Sequence, residues 1–381
     1  MAFDWKEIEA DVAEQLGRGG VARDRALALD HGRIEAHARA IAAGRLSRAA
    51  NAVSGAVEPA GGDEVESFAR LPAGERAGLE RRGAEAIARG EVAVAVLNGG
   101  MATRFGGEVK GIVEAVGGRT FLEIKLAQAR RLGPVPFLIM NSFATHARSL
   151  AFLAERKLDD AVDVFLQGVS LRLTPNGDVM RDAGGRVSLY APGHGDFPDA
   201  LVRSGLAARL AARGVRAVVL SNIDNLGAEL DPALIGLHLA RGRALTAEVA
   251  ATEPGDVGGA PAKVDGKLEI VEGFRFPPGF DFARVPFLAT NTFVFDLALL
   301  GAGHPLSWFY VEKSVDGKTA VQMERLVNEL SRFAPTTYLA TPRGGPHGRF
   351  FPIKTREDLE RLRADPELVR RFAGAERSRS D

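Results

Sequence analysis

Cysteine is absent from all 381 residues, which excludes disulfides, thiolate metal sites and cysteine nucleophiles together. The absence fits a reducing compartment. No stretch approaches the ~20 apolar residues that span a bilayer. The opening residues, MAFDWKEIEADVAEQL, form an acidic amphipathic start with no apolar signal core. Cytoplasm is therefore the expected location, and no membrane partner is expected. Net charge is missing too: 49 basic side chains face 49 acidic ones. Nucleic-acid binding leans on excess Lys and Arg, so no nucleic-acid partner is expected. Internal repeats and long low-complexity tracts are also lacking. What remains is ordinary globular composition, 46% apolar and 26% charged. The length allows two or three domains, or one large α/β domain with additions.

Residues 1–90 are rich in Ala, Arg and Glu, and Ile8, Val12 and Leu16 recur at helical spacing. This predicts a helical N-terminal region, with SGAVEPAGGD (54–63) as a loop between helices. The texture changes at Glu91, where VAVAVL (92–97) forms a continuous apolar run ending in NGG. Such a run suits a buried parallel strand. Further predicted strands are PFLIM (136–140), VDVFL (162–166), VRAVVL (215–220), LTAEVA (245–250) and LATNTFVF (288–295), with helical patterns at 120–132 and 198–213. Alternation of this kind predicts an α/β fold with a central, mainly parallel sheet. Three of the strands end in polar clusters (NGG, NS and SNIDN), and ligands of such sheets sit at the carboxyl ends of strands. One cleft is expected there. The expected domains are 1–90, a catalytic body at 91–360, and 361–381 as a C-terminal helix with a disordered tail.

The chemistry is concentrated first in LNGGMATRFGGEVKG, residues 97–111. Glycines let the backbone approach a ligand and turn amide N–H groups toward phosphate. Arg104 and Lys110 add positive charge suited to a phosphoryl group. The loop fits neither the Gly-x-Gly-x-x-Gly dinucleotide turn nor a P-loop, since no Gly-Lys-Ser/Thr follows. Gln167, at a strand end, offers a donor and an acceptor on one amide. Taken alone it reads first as a polar strand terminus, and Asp224 reads first as a helix N-cap. Lys354, in FFPIKT, would be costly if buried unpaired, so it either reaches solvent or meets an anion.

The loop at 97–111 resembles the signature of nucleotide-sugar pyrophosphorylases, in particular the UTP–glucose-1-phosphate uridylyltransferase family. The resemblance continues in order through VFLQG (164–168), APGHGD (191–196), SNIDNLGA (221–228), EVAATEPGDVGGAPAKVDGKLEIVE (248–272), NTFVF (291–295), VDGKTAVQMER (315–325, similar to a helix-leading segment) and RFFPIKTREDL (349–359). It covers roughly residues 92–360. The implied fold is Rossmann-like, of the nucleotide-diphospho-sugar transferase (GT-A-like) kind. The implied reaction forms a UDP-sugar and pyrophosphate from UTP and a sugar 1-phosphate, most readily glucose 1-phosphate, with Mg²⁺ as cofactor.

Carried over residue by residue, the resemblance implies that the backbone of Leu97, Asn98, Gly99 and Gly100, with Gln167 and Gly193, holds uracil. Arg104, Lys110 and Lys354 would act on the phosphates, and Asp224 would hold the metal. His194, Asn222, Glu248, Gly259, Glu272 and Asn291, with Thr252 and Gly258, would line the sugar phosphate. The chain departs from the family pattern at Ala102, which replaces a loop glycine, and at Glu108-Val109-Lys110, which replaces Gly-Pro-Lys. The family's C-terminal β-helix domain is not expected in this sequence, and the oligomeric state is left open. Two other readings remain: a non-catalytic relative that binds a nucleotide sugar as sensor or scaffold, and the same chemistry on an N-acetylhexosamine 1-phosphate.

Overall fold

The computed structural model describes residues 3–21, 27–102, 107–345 and 347–373. An eight-stranded sheet forms the centre. Its strands are β1 (Glu66–Ser67), β2 (Val92–Asn98), β3 (Phe137–Asn141), β4 (Asp163–Leu166), β5 (Ala217–Asn222), β6 (Leu245–Ala251), β7 (Phe287–Asp296) and β8 (Thr336–Ala340), in the order β1-β8-β6-β7-β5-β2-β3-β4. β7 runs antiparallel to both its neighbours, and the other pairs are parallel. The continuous apolar runs lie where both sheet faces are covered. Ala93, Val94, Val96, Ile139, Val218 and Leu220 are all buried, as parallel strands packed on two sides require. All five strands predicted after VAVAVL are present, within two residues of their expected ends.

The N-terminal region is not purely helical. Helices α1 (Trp5–Arg18), α2 (His31–Ala42) and α3 (Ala73–Ala88) form as their periodicity predicts. However, Val57–Pro59, inside the expected loop, pairs antiparallel with Ala262–Val264, and β1 extends the central sheet. Strands of two or three residues carry no readable period. Their pairing partners, more than 200 residues away in the chain, create them. α3 packs on the helix Pro232–Arg241 through Gly83 and Gly236. A Cβ on either would lie 1.8 Å from a backbone carbonyl oxygen of the opposite helix.

Other differences have local causes. The helix expected at 198–213 is two helices, Phe197–Arg203 and Leu206–Ala212, broken at Gly205, which adopts φ 75°. The segment 315–325 is largely strand. Phe309–Val315 and Lys318–Glu324 form a hairpin whose turn residues, Asp316 and Gly317, both have positive φ, the conformation that Asp-Gly favours. A short helix, Leu330–Phe333, follows only later. α1 and α2 pack on this hairpin, burying Val12, Leu16, Ile34 and Ile41 with Tyr310, Val321 and Met323. At the C-terminus, helices Arg356–Ala364 and Pro366–Ala373 return Leu359, Leu362 and Phe372 to the main core. The tail from residue 374, expected to be disordered, lies outside the described residues.

Candidate active site

The carboxyl ends of four parallel strands lie level. Leu97 pairs with Met140 and Asn222, Asn98 with Asn141, and Asn141 with Leu166. The three polar strand ends therefore do share one edge of the sheet, as expected of an α/β crevice. From that edge, named contacts close into a ring.

At one side, Gln167 Nε2 lies so near Gly99 that a Cβ there would meet it at 2.2 Å. Ser142 Oγ donates to the Gly99 carbonyl at 2.8 Å and fixes the loop. Gln167 is buried, and its Oε1 is a buried acceptor with no partner among the described residues. A buried amide oxygen without a donor is costly, so it is a natural place for a ligand N–H. Next, Asn222 Oδ1 accepts from Asn291 Nδ2 at 2.8 Å. Asn291 can do this because it sits at an irregularity in the β6–β7 ladder with φ 56°. Bulges of this kind turn a side chain toward a site. Ala289, two residues earlier, donates from its amide to the Gly259 carbonyl at 2.7 Å. A Cβ on Gly259 would crowd Glu272 Oε2 and Asn328 Nδ2 at 3.0 and 3.1 Å. Asn328 itself donates to Glu272 at 2.8 Å. The neighbouring Val327 amide donates to His194 Nδ1 at 3.0 Å. The same turn returns to the start, because Asp196 accepts from the Gly168 amide at 2.6 Å. The ring is complete.

Lys110 and Asp224 stand at the strand-end edge of this ring as an ion pair between Nζ and Oδ2. Asn98 supports them from below. Fully buried, it donates to Asn141 Oδ1 at 2.7 Å and Ser149 Oγ at 3.0 Å. Its own Oδ1 accepts from the Gly111 amide at 3.1 Å, which pins the turn carrying Lys110. Glu108, the acid two residues before Lys110, is drawn off into an ion pair with Arg148. Asp224 leaves its second oxygen, Oδ1, buried and without a partner among the described residues. An orphan carboxylate oxygen at the carboxyl end of a parallel strand suits a hard divalent cation, which needs only one or two protein carboxylates.

The Asp224 loop is held from the opposite side by Arg349. Its guanidinium makes two 2.7 Å bonds to Glu248 and a 2.9 Å bond to the Glu229 carbonyl. Asn225 accepts from the Phe351 amide and donates to the Arg349 carbonyl. The Ile353 amide donates to the Asp224 carbonyl at 3.1 Å. This lays the segment 349–353 along the loop and sets Lys354 beside it. Lys354 is exposed and makes no ion pair among the described residues. Its charge acts on Glu272.

Protonation in the ring follows from burial. Burial pushes the Glu272 carboxyl above its ordinary pKa against the opposing bonds from Asn328 and the Gly273 amide. Burial pulls His194 down to about 4. With Nδ1 accepting a backbone N–H, neutral His194 carries its proton on Nε2, a donor for a bound group.

One expectation is corrected. Glu248 does not serve a sugar, because both its oxygens are bound by Arg349 in the interior. Leu97 and Asn98 are the last residues of β2, where the strand runs into the glycine loop. The Leu97 carbonyl accepts from the Ile223 amide at 3.3 Å, and the Asn98 side chain is structural. Gly193, at φ 88°, makes room for the protein's own backbone, since a Cβ would meet the Arg325 carbonyl at 2.7 Å. Arg104 lies outside the described residues. Sequence reasoning missed Asn328, Arg349 as an anchor, and Lys125. The last was legible in FLEIKLAQ, where Lys125 shares the buried helix face of Phe121, Leu122 and Gln128.

The family model described as UTP–glucose-1-phosphate uridylyltransferase matches residues 50–366. The chain belongs to this family. It is 28% identical over 297 residues to the UTP–glucose-1-phosphate uridylyltransferase of Solanum tuberosum, covering 72% of this chain and 61% of that protein. It is 28% identical over 329 residues to UTP–glucose-1-phosphate uridylyltransferase 2 of Dictyostelium discoideum, covering 80% and 63%. The chain thus spans under two thirds of these curated relatives. A solved UDP-glucose phosphorylase from Trypanosoma brucei superposes with a TM-score of 0.72 at 24% identity, over 95% of this chain and 80% of that one. At that identity the likeness establishes the fold, which is the mixed, mainly parallel sheet of nucleotidyltransferases. Among the described residues no helix is long and apolar enough to cross a membrane.

In this family member Lys125 is fully buried and donates to the Ala228 carbonyl at 2.8 Å and Ser221 Oγ at 3.3 Å. Burial lowers its pKa to about 7. The unfolded chain therefore holds this proton up to about pH 10.4, while the folded chain releases it near 7. Between those values the unfolded state binds more protons, so stability rises with pH. Denaturation of wild type and Lys125→Met at pH 6, 8 and 10 is expected to show wild type gaining on the variant by a few kcal/mol across the window. A constant difference would contradict the assignment.

Proposed function

We propose that this chain joins UTP to a sugar 1-phosphate, glucose 1-phosphate foremost, releasing pyrophosphate and a UDP-sugar. The observation that carries the reading is the closed ring itself. An unpartnered amide oxygen at Gln167 lies on one side, polar side chains lie on the other, and a lysine–carboxylate pair stands at the edge between them.

Gln167 Nε2 donates to a uracil carbonyl, and Oε1 accepts from the base N3–H, which satisfies its orphan acceptor. Glu272, Asn328, Asn291 and Asn222 bind sugar hydroxyls, with His194 Nε2–H directed to a hydroxyl or phosphate oxygen. A phosphate oxygen of the sugar attacks the α-phosphorus of UTP in line. The new P–O bond forms as the bond to the β-phosphate bridge oxygen breaks, and the pyrophosphate leaves with that electron pair. The attacking phosphate is already ionised near neutral pH, so no general base or protein nucleophile is required. The difficulty is charge: two unit charges ~4 Å apart repel by ~4 kcal/mol at an effective dielectric near 20. Lys110 offsets charge on the transferring phosphoryl group, and Lys354 and Arg104 contribute from the rim and the glycine loop. Asp224 Oδ1 would hold Mg²⁺, which supplies charge neutralisation and orientation of the phosphates. The cysteine-free composition supports a cytoplasmic setting.

Gly99→Ala is expected to displace Gln167 and raise the KM for UTP by about tenfold, the worth of one well-made hydrogen bond, with the KM for the sugar phosphate little changed. The function is tested by pyrophosphate release from UTP and glucose 1-phosphate with Mg²⁺, alongside other sugar 1-phosphates. Binding of UDP-glucose without turnover would instead support the sensor reading.

A further inference from the structure

We propose that the outer face of α4 (Phe121–Arg130) carries a second anion site, for a small phosphate ester with an apolar or ring-bearing group. A cavity of about 640 Å³ lies there, within the range of small-molecule sites. Glu123, Leu126 and Arg130 follow helical spacing along one wall, Arg119 precedes the helix, and Arg156 and Leu158 come from another segment. Arg131 closes the end. The inner face of the same helix is the one that presents Lys125 and Gln128 to the Asp224 loop, Gln128 through a 2.9 Å bond to the Leu226 carbonyl. The cavity and the cleft are therefore on opposite faces of α4.

The charge there is unbalanced in a chain that is neutral as a whole. Among the described residues Glu123 is the one acid lining the cavity, and its carboxylate is already engaged. It accepts from the Thr120 amide at 2.8 Å and from Thr120 Oγ1 at 3.0 Å, and it faces Arg156 at 3.5 Å. Arg119 is held by the carbonyls of Ala373 and Glu123, both at 3.1 Å. Both acceptors are neutral, and Arg119 makes no ion pair among the described residues. Arg130 makes no ion pair among the described residues. Arg131 pairs with Glu229, which is shared with Arg371. Arginines near helix C-termini complement the helix dipole one by one. That does not account for their convergence on a single cavity floored by Leu126 and Leu158. Guanidinium groups match the planar, bidentate geometry of phosphate oxygens, and the leucines suit the ester group.

The probe is phenyl phosphate, titrated calorimetrically into the full chain at low ionic strength. Wild type is expected to bind it. The double variant Arg130→Ala/Arg156→Ala, changed at two exposed positions, is expected to bind at least about tenfold more weakly with an unchanged melting temperature. Lys110→Ala is expected to bind as wild type does. Failure of wild type to bind, equal affinity in the double arginine variant, or loss of binding in Lys110→Ala would each overturn the proposal. The last would place the probe in the cleft.

Discussion

Lys110→Ala is expected to lower turnover by about 10²–10³-fold, the range seen when one preorganised charge-stabilising donor is removed from a transition state. The effect should fall on kcat, because Lys110 acts where phosphoryl charge develops rather than where base or sugar is read. The fold should survive. Lys110 lies on a short turn pinned by Asn98, not in the core, and Asp224 stays anchored through its backbone to Ile353. The cost in stability is that of leaving a buried carboxylate without its cation, about 3 kcal/mol. Steady-state kinetics with both substrates, beside a denaturation curve, separate the two effects. A kcat within threefold of wild type would remove Lys110 from the mechanism.

Arg349→Met is expected to have the largest effect on stability. The pair with Glu248 is buried on both sides, and removing one partner leaves a carboxylate uncompensated in the interior, at about 3–5 kcal/mol. The same change frees the Glu229 carbonyl and loosens the Asp224 loop, so activity should fall with stability. Denaturant unfolding measures the loss. Combining it with Glu248→Leu distinguishes the causes. The double variant should recover much of the stability, since two apolar side chains replace a buried charge pair at little net cost. Activity should recover less, because the loop has lost its anchor. Restored activity in the double variant would show that Arg349 contributes only through its charge balance.

Most strands legible in the sequence were buried on both faces, since a run such as VAVAVL needs no partner to declare itself, and the edge strand at Asp163–Leu166 was legible from its short apolar run. The edge strand Glu66–Ser67 and the strand Val57–Pro59 were not legible, because short segments become strands only when a distant neighbour offers its backbone. The hairpin at 309–324 was legible in Asp316-Gly317, a turn pair that was passed over for a helix-leading reading. In the site, Gln167, Gly99, Lys110 and Asp224 were singled out from residue chemistry and resemblance, and the structure brings them to one strand-end edge. Glu248 misled because a carboxylate on a strand has two faces to choose from, and only its partner, Arg349, selects the interior.

Composition and pattern alone determined that this chain builds a two-sided, mainly parallel sheet with polar strand ends, lacks thiol chemistry and carries no net charge, because these depend on residue type and near-neighbour spacing. The tertiary structure alone decided which polar side chains face the cleft and which are consumed in holding it. Hydrogen bonds and ion pairs between residues a hundred positions apart form only once packing has brought their elements together. The physical chemistry of Asn98, Arg349 and Lys125 is therefore set by what surrounds them in space.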